Sequence, residues 1–544
     1  MKKVLTTAAL GAAVLTVAAC GGAGGSTASG NNTGGATPSG GSTGTQQYAS
    51  GKTLTMVLPA DPGSLDPDLT SLSVALQTDF FLYDSLVNIA PDGSLQSGLA
   101  TKWSGNTTSA SFTLKKGVTC SDGSALTASD VAANINFIGN PKNTSSRIGL
   151  WVPPTATAKA DDATGTVTVT SPVPDAFLVR DVGSAQIVCG TGMKDRSTLK
   201  EGADGTGMYT LTSAVPGSQY TLSLRKGYTW GPDGFSASAA GVPSTVVLKV
   251  VANMTTAANL VLSGQANLAQ IIGPDQQRMS AAKLYTQIVD APLGEMWFNE
   301  KPGMPGADPA VRKALTQALQ LSQLGQVVTS GTGHPATGLV APALSPCRGN
   351  TIGSNLPAYD LSAAKAALDA AGWKAGPGGV REKNGVKLSM PVYYPTSLGS
   401  GITAGAELVQ QTWSGLGVQV SLRGITDPEL DTMIVGGQAA WGASFIPLGL
   451  TSPSQLAPFV SGPTPPKGTN FAFISNSAYT ADVTKAASTA GEAGCADWNA
   501  AEAALFKNVD LVPFVDSATP TFAKGATFEL SQGSVVPSSL RMLG

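Results

Sequence analysis

Between Phe112 and Ile138 the chain reads FTLKKGVTCSDGSALTASDVAANINFI, and three local instructions follow one another there without conflict. Phe112 and Leu114 alternate with polar neighbours as a half-buried strand does. Gly117, then Ser121, Asp122 and Gly123, supply a turn. Thr127 predicts a helix start: its hydroxyl is placed to accept from the amide of Asp130, whose carboxylate sits in the first turn where the helix dipole favours negative charge. Val131, Ile135 and Ile138 fall on one face. Gly139 and Pro141 are expected to end the helix, glycine by taking a left-handed closing conformation and proline by lacking the backbone donor. Strand, turn and capped helix in that order point to an α/β architecture.

The run GVTCSDGSALTASDVAANINF resembles the signature of the family 5 extracellular solute-binding proteins of ABC importers, which include dipeptide- and oligopeptide-binding proteins. Asp122, Gly123, Leu126, Thr127, Ala128, Asp130 and Val131 carry the match, and Cys120 stands where an aromatic is common. Other stretches resemble the family in the same order. They are LTMVLPADPGSLDP, the segment from Phe80 to Trp103, the Gly205–Gly231 hairpin with Met208 in place of proline, the strand and helix from Trp297 to Leu319, the loop around His334, and the helix and strand from Trp498 to Phe514. The resemblance implies a two-lobe, type II periplasmic-binding-protein-like α/β fold with an extra small subdomain. Lobe I is expected at 51–295 plus 513–544, its subdomain at about 70–180, and lobe II at 296–512.

A formal net charge of −2 and the absence of long basic runs give no electrostatic reason to bind nucleic acid. Lys2 and Lys3 precede an apolar stretch, Val4 to Ala19, that reads as a secretory signal and is short for a membrane span. Val17, Ala18, Ala19 and Cys20 resemble a bacterial lipobox, which implies cleavage after residue 19 and lipid attachment at Cys20. The alternative is an ordinary signal peptidase site with an incidental cysteine. Residues 21–50 are Gly, Ser, Thr, Ala and Asn-rich and read as a flexible tether. The expected location is extracytoplasmic, anchored to the cell membrane.

Four cysteines remain, Cys120, Cys189, Cys347 and Cys495, an even number without CxxC spacing, which in an exported protein favours disulfides over metal. Three pairings are possible, with free buried thiols as the other reading. The resemblance places Cys120 with Cys189 and Cys347 with Cys495, each within one lobe. The single histidine, His334, cannot form a multi-histidine metal site. No HExxH or credible serine elbow is visible, and GGSTG at 40–44 lies in the tether. The resemblance implies a non-enzymatic receptor without cofactor or metal, monomeric, and working with permease subunits. A secreted hydrolase built on paired carboxylates and a surface adhesin are the competing classes.

For the ligand site the resemblance implies Leu72, Ser73 and Val74 on a loop reaching the cleft, Trp297 and Asn299 on a crossing strand, and Trp441, Gly442, Ser444 and Phe445 opposite. In peptide-binding relatives the last segment reads roughly Trp-x-Ala-Asp-Tyr, and its aspartate pairs with the peptide ammonium. Here Ser444 occupies that position. A neutral hydroxyl cannot compensate a buried ammonium. The ligand is thus expected to be a peptide or peptide-like solute held by hydrogen bonds and by stacking on Trp441 and Phe445, with an oligosaccharide or other non-peptide solute as the alternative.

Overall fold

The structure, a computed structural model, describes residues 47–70, 72–200, 202–340, 345–347 and 349–544. The signal, the tether and Cys20 lie outside the described residues.

Two long strands, Tyr285–Phe298 and Leu511–Ala523, organise an 11-stranded sheet. They pair antiparallel from Tyr285 opposite Ala523 to Trp297 opposite Leu511, and the register shifts on either side of Gly294. A Cβ on Gly294 would meet the Phe514 ring at 2.4 Å, so the irregularity needs glycine for this close approach. At one end Leu268–Gln270 pairs with the second long strand and leads to Thr53–Leu58, Thr245–Val250 and the hairpin of Tyr209–Val215 with Gln219–Leu224. At the other end Ala443–Phe445 pairs with the first long strand, followed by Val392–Pro395 and Leu422–Ile425.

The apolar core changes along these strands. One core runs from Leu54 through Leu268 and returns at Ala523 to Met542. Two others lie between Leu293 and Val515. The same two strands therefore serve cores on both sides of the Gly294 irregularity.

The stretch from Phe112 to Ile138 folds as its local chemistry dictates. Ser109–Leu114 is the second strand of a four-stranded sheet ordered Ala100–Gly105, Ser109–Leu114, Thr166–Thr170, Thr157–Asp161. The helix spans Ala128–Gly139; Thr127 accepts from the Asp130 amide at 3.1 Å, and the Asp130 carboxylate accepts from the Thr127 amide at 2.9 Å. Val131, Ile135 and Ile138 are fully buried. Asn136 donates to the Ala158 carbonyl at 3.0 Å and accepts from its amide at 2.8 Å, which pins the helix to the outer strand. Gly139 departs from the expected ending. It stays helical, Asn140 is the extended cap, and the glycine is required because a Cβ would lie 2.6 Å from the Ala156 carbonyl oxygen.

The cysteines pair as Cys120–Cys189 and Cys347–Cys495. The four-stranded sheet region also touches the part of the chain beyond Leu293. Ser452 and Ser454 hydroxyls donate to the buried Asp181 carboxylate at 3.1 and 2.8 Å, Gln455 donates to the Leu150 carbonyl at 3.0 Å, and Phe177 packs on Trp498.

Candidate ligand cavity

A cavity of about 1850 Å³ lies over the long-strand pair, lined by residues of both sides of the sheet. Leu293 and Ser517 of the long strands contribute to its floor. One wall comes from the start of the Ser73–Leu82 helix, Tyr83 and Asp84, the Pro274 region and the Phe528–Ser539 tail. The facing wall is built from loops that follow strand ends: Pro395–Gly401 after Val392–Pro395, Thr426–Asp431 after Leu422–Ile425, and Ile446–Thr451 after Ala443–Phe445. Ligands in α/β sheets bind beyond carboxyl ends of strands because loops there are free of the ladder.

Leu72, Ser73 and Val74 line the cavity, at the start of the Ser73–Leu82 helix. Trp297, Asn299, Trp441, Gly442, Ser444 and Phe445 do not; the structure places them in the core. Ala443–Phe445 is a central strand with partners on both edges, and three successive residues of it are buried, so both of its faces are covered. Phe445 packs edge-on to Phe514 at 6.0 Å, and Trp441 lies 6.2 Å from Phe471. The Ser444 hydroxyl donates to the Tyr393 carbonyl at 2.9 Å, the Trp297 indole to the Ile446 carbonyl at 2.8 Å, and the Asn299 amide to the Trp441 carbonyl at 3.0 Å. A Cβ on Gly442 would meet Met390 Cα at 2.9 Å. These residues hold the wall in place from behind; its surface is Ile446–Thr451.

Glu295 acts in the same way. Its carboxylate accepts from the Leu448 amide at 3.0 Å beneath the wall loop, and burial pushes its pKa well up. On the other side Asp84 accepts from the Trp230 indole at 2.9 Å and from the Tyr228 and Thr206 hydroxyls at 3.0 Å each. Burial raises its pKa against those bonds. Behind the Ser73–Leu82 helix, Arg147 and Asp79 form a fully buried ion pair at 3.6 Å, and burial lifts the Asp79 carboxyl to about 8 in spite of Arg147. Arg147 also donates to Gln186 and lies 4.6 Å over the Trp151 ring, both of which line the cavity.

Sequence reading missed the wall loops at Pro395–Gly401 and Thr426–Asp431, and at the third it picked residues up to Phe445 as contacts instead of Ile446–Thr451. Pro395–Gly401, PTSLGSG, carried a usable signal, a Gly- and Ser-rich break after the strand residues Val392 and Tyr394. Among the described residues no group of three or more His, Cys, Asp and Glu side chains is arranged to hold a metal ion, and no helix is long and apolar enough to cross a membrane.

The profile of the bacterial extracellular solute-binding proteins, family 5 middle, matches residues 94–500. Protein XP55 of Streptomyces lividans is 29% identical over 362 residues, 64% of this chain and 62% of that protein. The glutathione-binding protein GsiB of Salmonella choleraesuis is 26% identical over 311 residues, 55% of this chain and 56% of its own length. The matches thus span less than two thirds of either relative. A substrate-binding protein of Microbacterium hydrocarbonoxydans, solved with 4-hydroxybenzoate hydrazide, superposes with a TM-score of 0.76 at 25% identity, covering 90% of this chain and 100% of that one. The fold is that of the type II periplasmic binding proteins, and the chain belongs to the bacterial extracellular solute-binding proteins of family 5.

Proposed function

We propose that this protein is the extracytoplasmic solute-binding component of an ABC importer. It takes a peptide or peptide-like solute into the cavity over the long strands and presents it to permease subunits. The observation that carries this reading is the cavity itself, whose walls come from opposite sides of the Gly294 irregularity. A solute touching both walls is bound fully only when they are close together, so binding shifts the population toward closure. Family membership supports the class, and the glutathione named for GsiB supports a peptide-like solute. The lobes are taken as 51–295 plus 513–544 and 296–512, acting as a monomer without cofactor or catalysis.

Anchoring through Cys20 completes the reading, because a lipidated cysteine ahead of a tether keeps the receptor beside its permease. Cys20→Ala is expected to abolish lipid labelling; undiminished labelling would defeat that part. The non-peptide alternative rests on the hydrazide bound by the Microbacterium protein.

Mass spectrometry of small molecules released from the purified, denatured protein tests the main reading. A discrete solute should be recovered, and adding it back should raise the melting temperature without being consumed. At one hundred times Kd, stabilisation of about 2.7 kcal/mol is expected. Turnover of the solute would instead identify an enzyme.

A further inference from the structure

The cavity has a charge that the chain as a whole does not. Among the described residues seven carboxylates and one guanidinium, that of Arg541, line it, with no lysine or histidine, whereas the formal net charge of the chain is −2. Part of this acidity is offset from behind. Asp275 pairs with Arg278 at 2.6 Å, and Lys115 and Arg225 lie near Asp84. Arg541 is itself occupied, donating to the Ser538 and Leu540 carbonyls at 2.8 Å each and lying 5.3 Å over the Phe235 ring.

Asp61, Asp233 and Glu529 have no ion pair among the described residues, but of the lining carboxylates only Asp427 and Asp431 lie within one helical turn of each other. They stand four residues apart where Asp427–Leu430 runs into the wider turn Asp431–Val435, both on the cavity wall. Among the described residues neither has a cation within ion-pair distance. The Ser397 hydroxyl, at 2.6 Å from Asp427, is a neutral partner. Like charges at this spacing repel on a helical face, and Asp431 is pushed up by burial and then by Asp427. Two helix starts, at Ser73 and Ser400, also open on the cavity without side-chain caps. Each carries about half a positive charge, which suits solute carbonyl oxygens but leaves the lining acidic. A cleft lined by one sign of charge concentrates the opposite sign.

We propose that the solute is a peptide-like molecule of net positive charge, its ammonium or guanidinium seated against Asp427 and Asp431, and that acidic solutes are rejected. This rests on the solute-receptor reading and names its substrate class. It also relocates the acid that Ser444 cannot supply.

The test uses the purified full chain, four blocked tetrapeptide amides identical except for one Lys, Arg, Gln or Glu, and glutathione, whose two carboxylates outweigh its ammonium at neutral pH. Calorimetry at low and high salt should give the Lys or Arg peptide at least tenfold tighter binding than the Gln peptide, with the Glu peptide and glutathione weakest. The preference should shrink in high salt. Asp431→Asn should reduce the preference for the Lys or Arg peptide over the Gln peptide at least fivefold. Equal or tighter binding of the Glu peptide or glutathione overturns the proposal and leaves the receptor reading standing. So does a charge preference unchanged in Asp431→Asn. If no probe binds, native mass spectrometry of co-purified solute decides: a cationic solute supports the proposal, and a neutral or anionic one overturns it. Absence of any bound solute as well overturns both the proposal and the receptor reading.

Discussion

The helix from Ala128 to Gly139 and the segment from Trp441 to Leu450 teach different lessons. Each carries a family-like motif. In the first, every decisive partner lies within a few residues: Thr127 and Asp130 cap one another, and Val131, Ile135 and Ile138 share a face. In the second, the aromatic residues that look like ligand contacts are buried in the apolar core, Trp441 against Phe471 and Phe445 against Phe514, and the cavity surface begins only at Ile446, where the strand has ended. A capped helix is specified by contacts close in sequence, whereas a binding wall is specified by which strand ends reach the same opening.

Trp441→Ala gives the largest expected effect and tests this contrast directly. Emptying a fully buried tryptophan site should cost roughly 3–5 kcal/mol in denaturant unfolding, with a smaller loss of solute affinity in the folded protein than a ring lining the cavity would cause. Lost affinity at full stability would return Trp441 to the cavity and erase the difference between the two segments.

The next effect is a pH slope at the contact between Asp181 and the Ser452–Ser454 turn that follows the wall loop. Burial holds the Asp181 carboxyl well above 3.8, with neighbouring Asp175 pushing the same way and the Ser454 and Ser452 hydroxyls and Arg180 opposing. Asp175 is itself lifted by burial to about 6, and Glu492 faces Arg180. The folded form therefore holds its proton more tightly. The Asp181 contribution to stability is fullest below the unfolded value near 3.8 and is lost as pH rises toward the folded value. Asp181→Asn should flatten the fall in unfolding stability as pH rises above about 3.8 and gain on the parent most at the alkaline end. An unchanged slope would show that the contact does not bury this charge.

Thr127→Ala should remove about 1 kcal/mol through the lost cap, measured by the same unfolding. Thr127→Ser should retain most of it. If both cost equally, the helix start is held by packing, and the claim that this segment is locally specified fails.

Ser444→Ala should have the smallest effect, about 0.5–1.5 kcal/mol for the hydrogen bond to the Tyr393 carbonyl, without change in solute affinity. A large affinity change from this substitution would place position 444 in the ligand shell.

Much of the fold was legible because its signals are short-range. Asp308 ahead of Pro309 caps the Pro309–Gln317 helix by accepting from the Ala310 amide at 3.0 Å. Asp360 caps Leu361–Ala370, and Trp413, read as core from its place on a helical stripe, is buried with its indole donating to the Leu315 carbonyl. The site was less legible. Leu72–Val74 reaches the cavity from a loop and helix start, but Trp297 and Phe445 lie inside a sheet whose alternation cannot reveal a cleft, since both faces are covered.

The sequence by itself determined the α/β class and the positions of the capped helices, because caps, turns and apolar stripes act between residues a few positions apart. The family resemblance placed them in order. Only the tertiary structure decided that Pro395–Gly401, Thr426–Asp431 and Ile446–Thr451 share one wall, and that Asp427 and Asp431 face the cavity without a cation among the described residues. The ends of strands far apart in sequence meet through sheet order, and whether a carboxylate is compensated depends on what folds against it, a distance that no local pattern encodes.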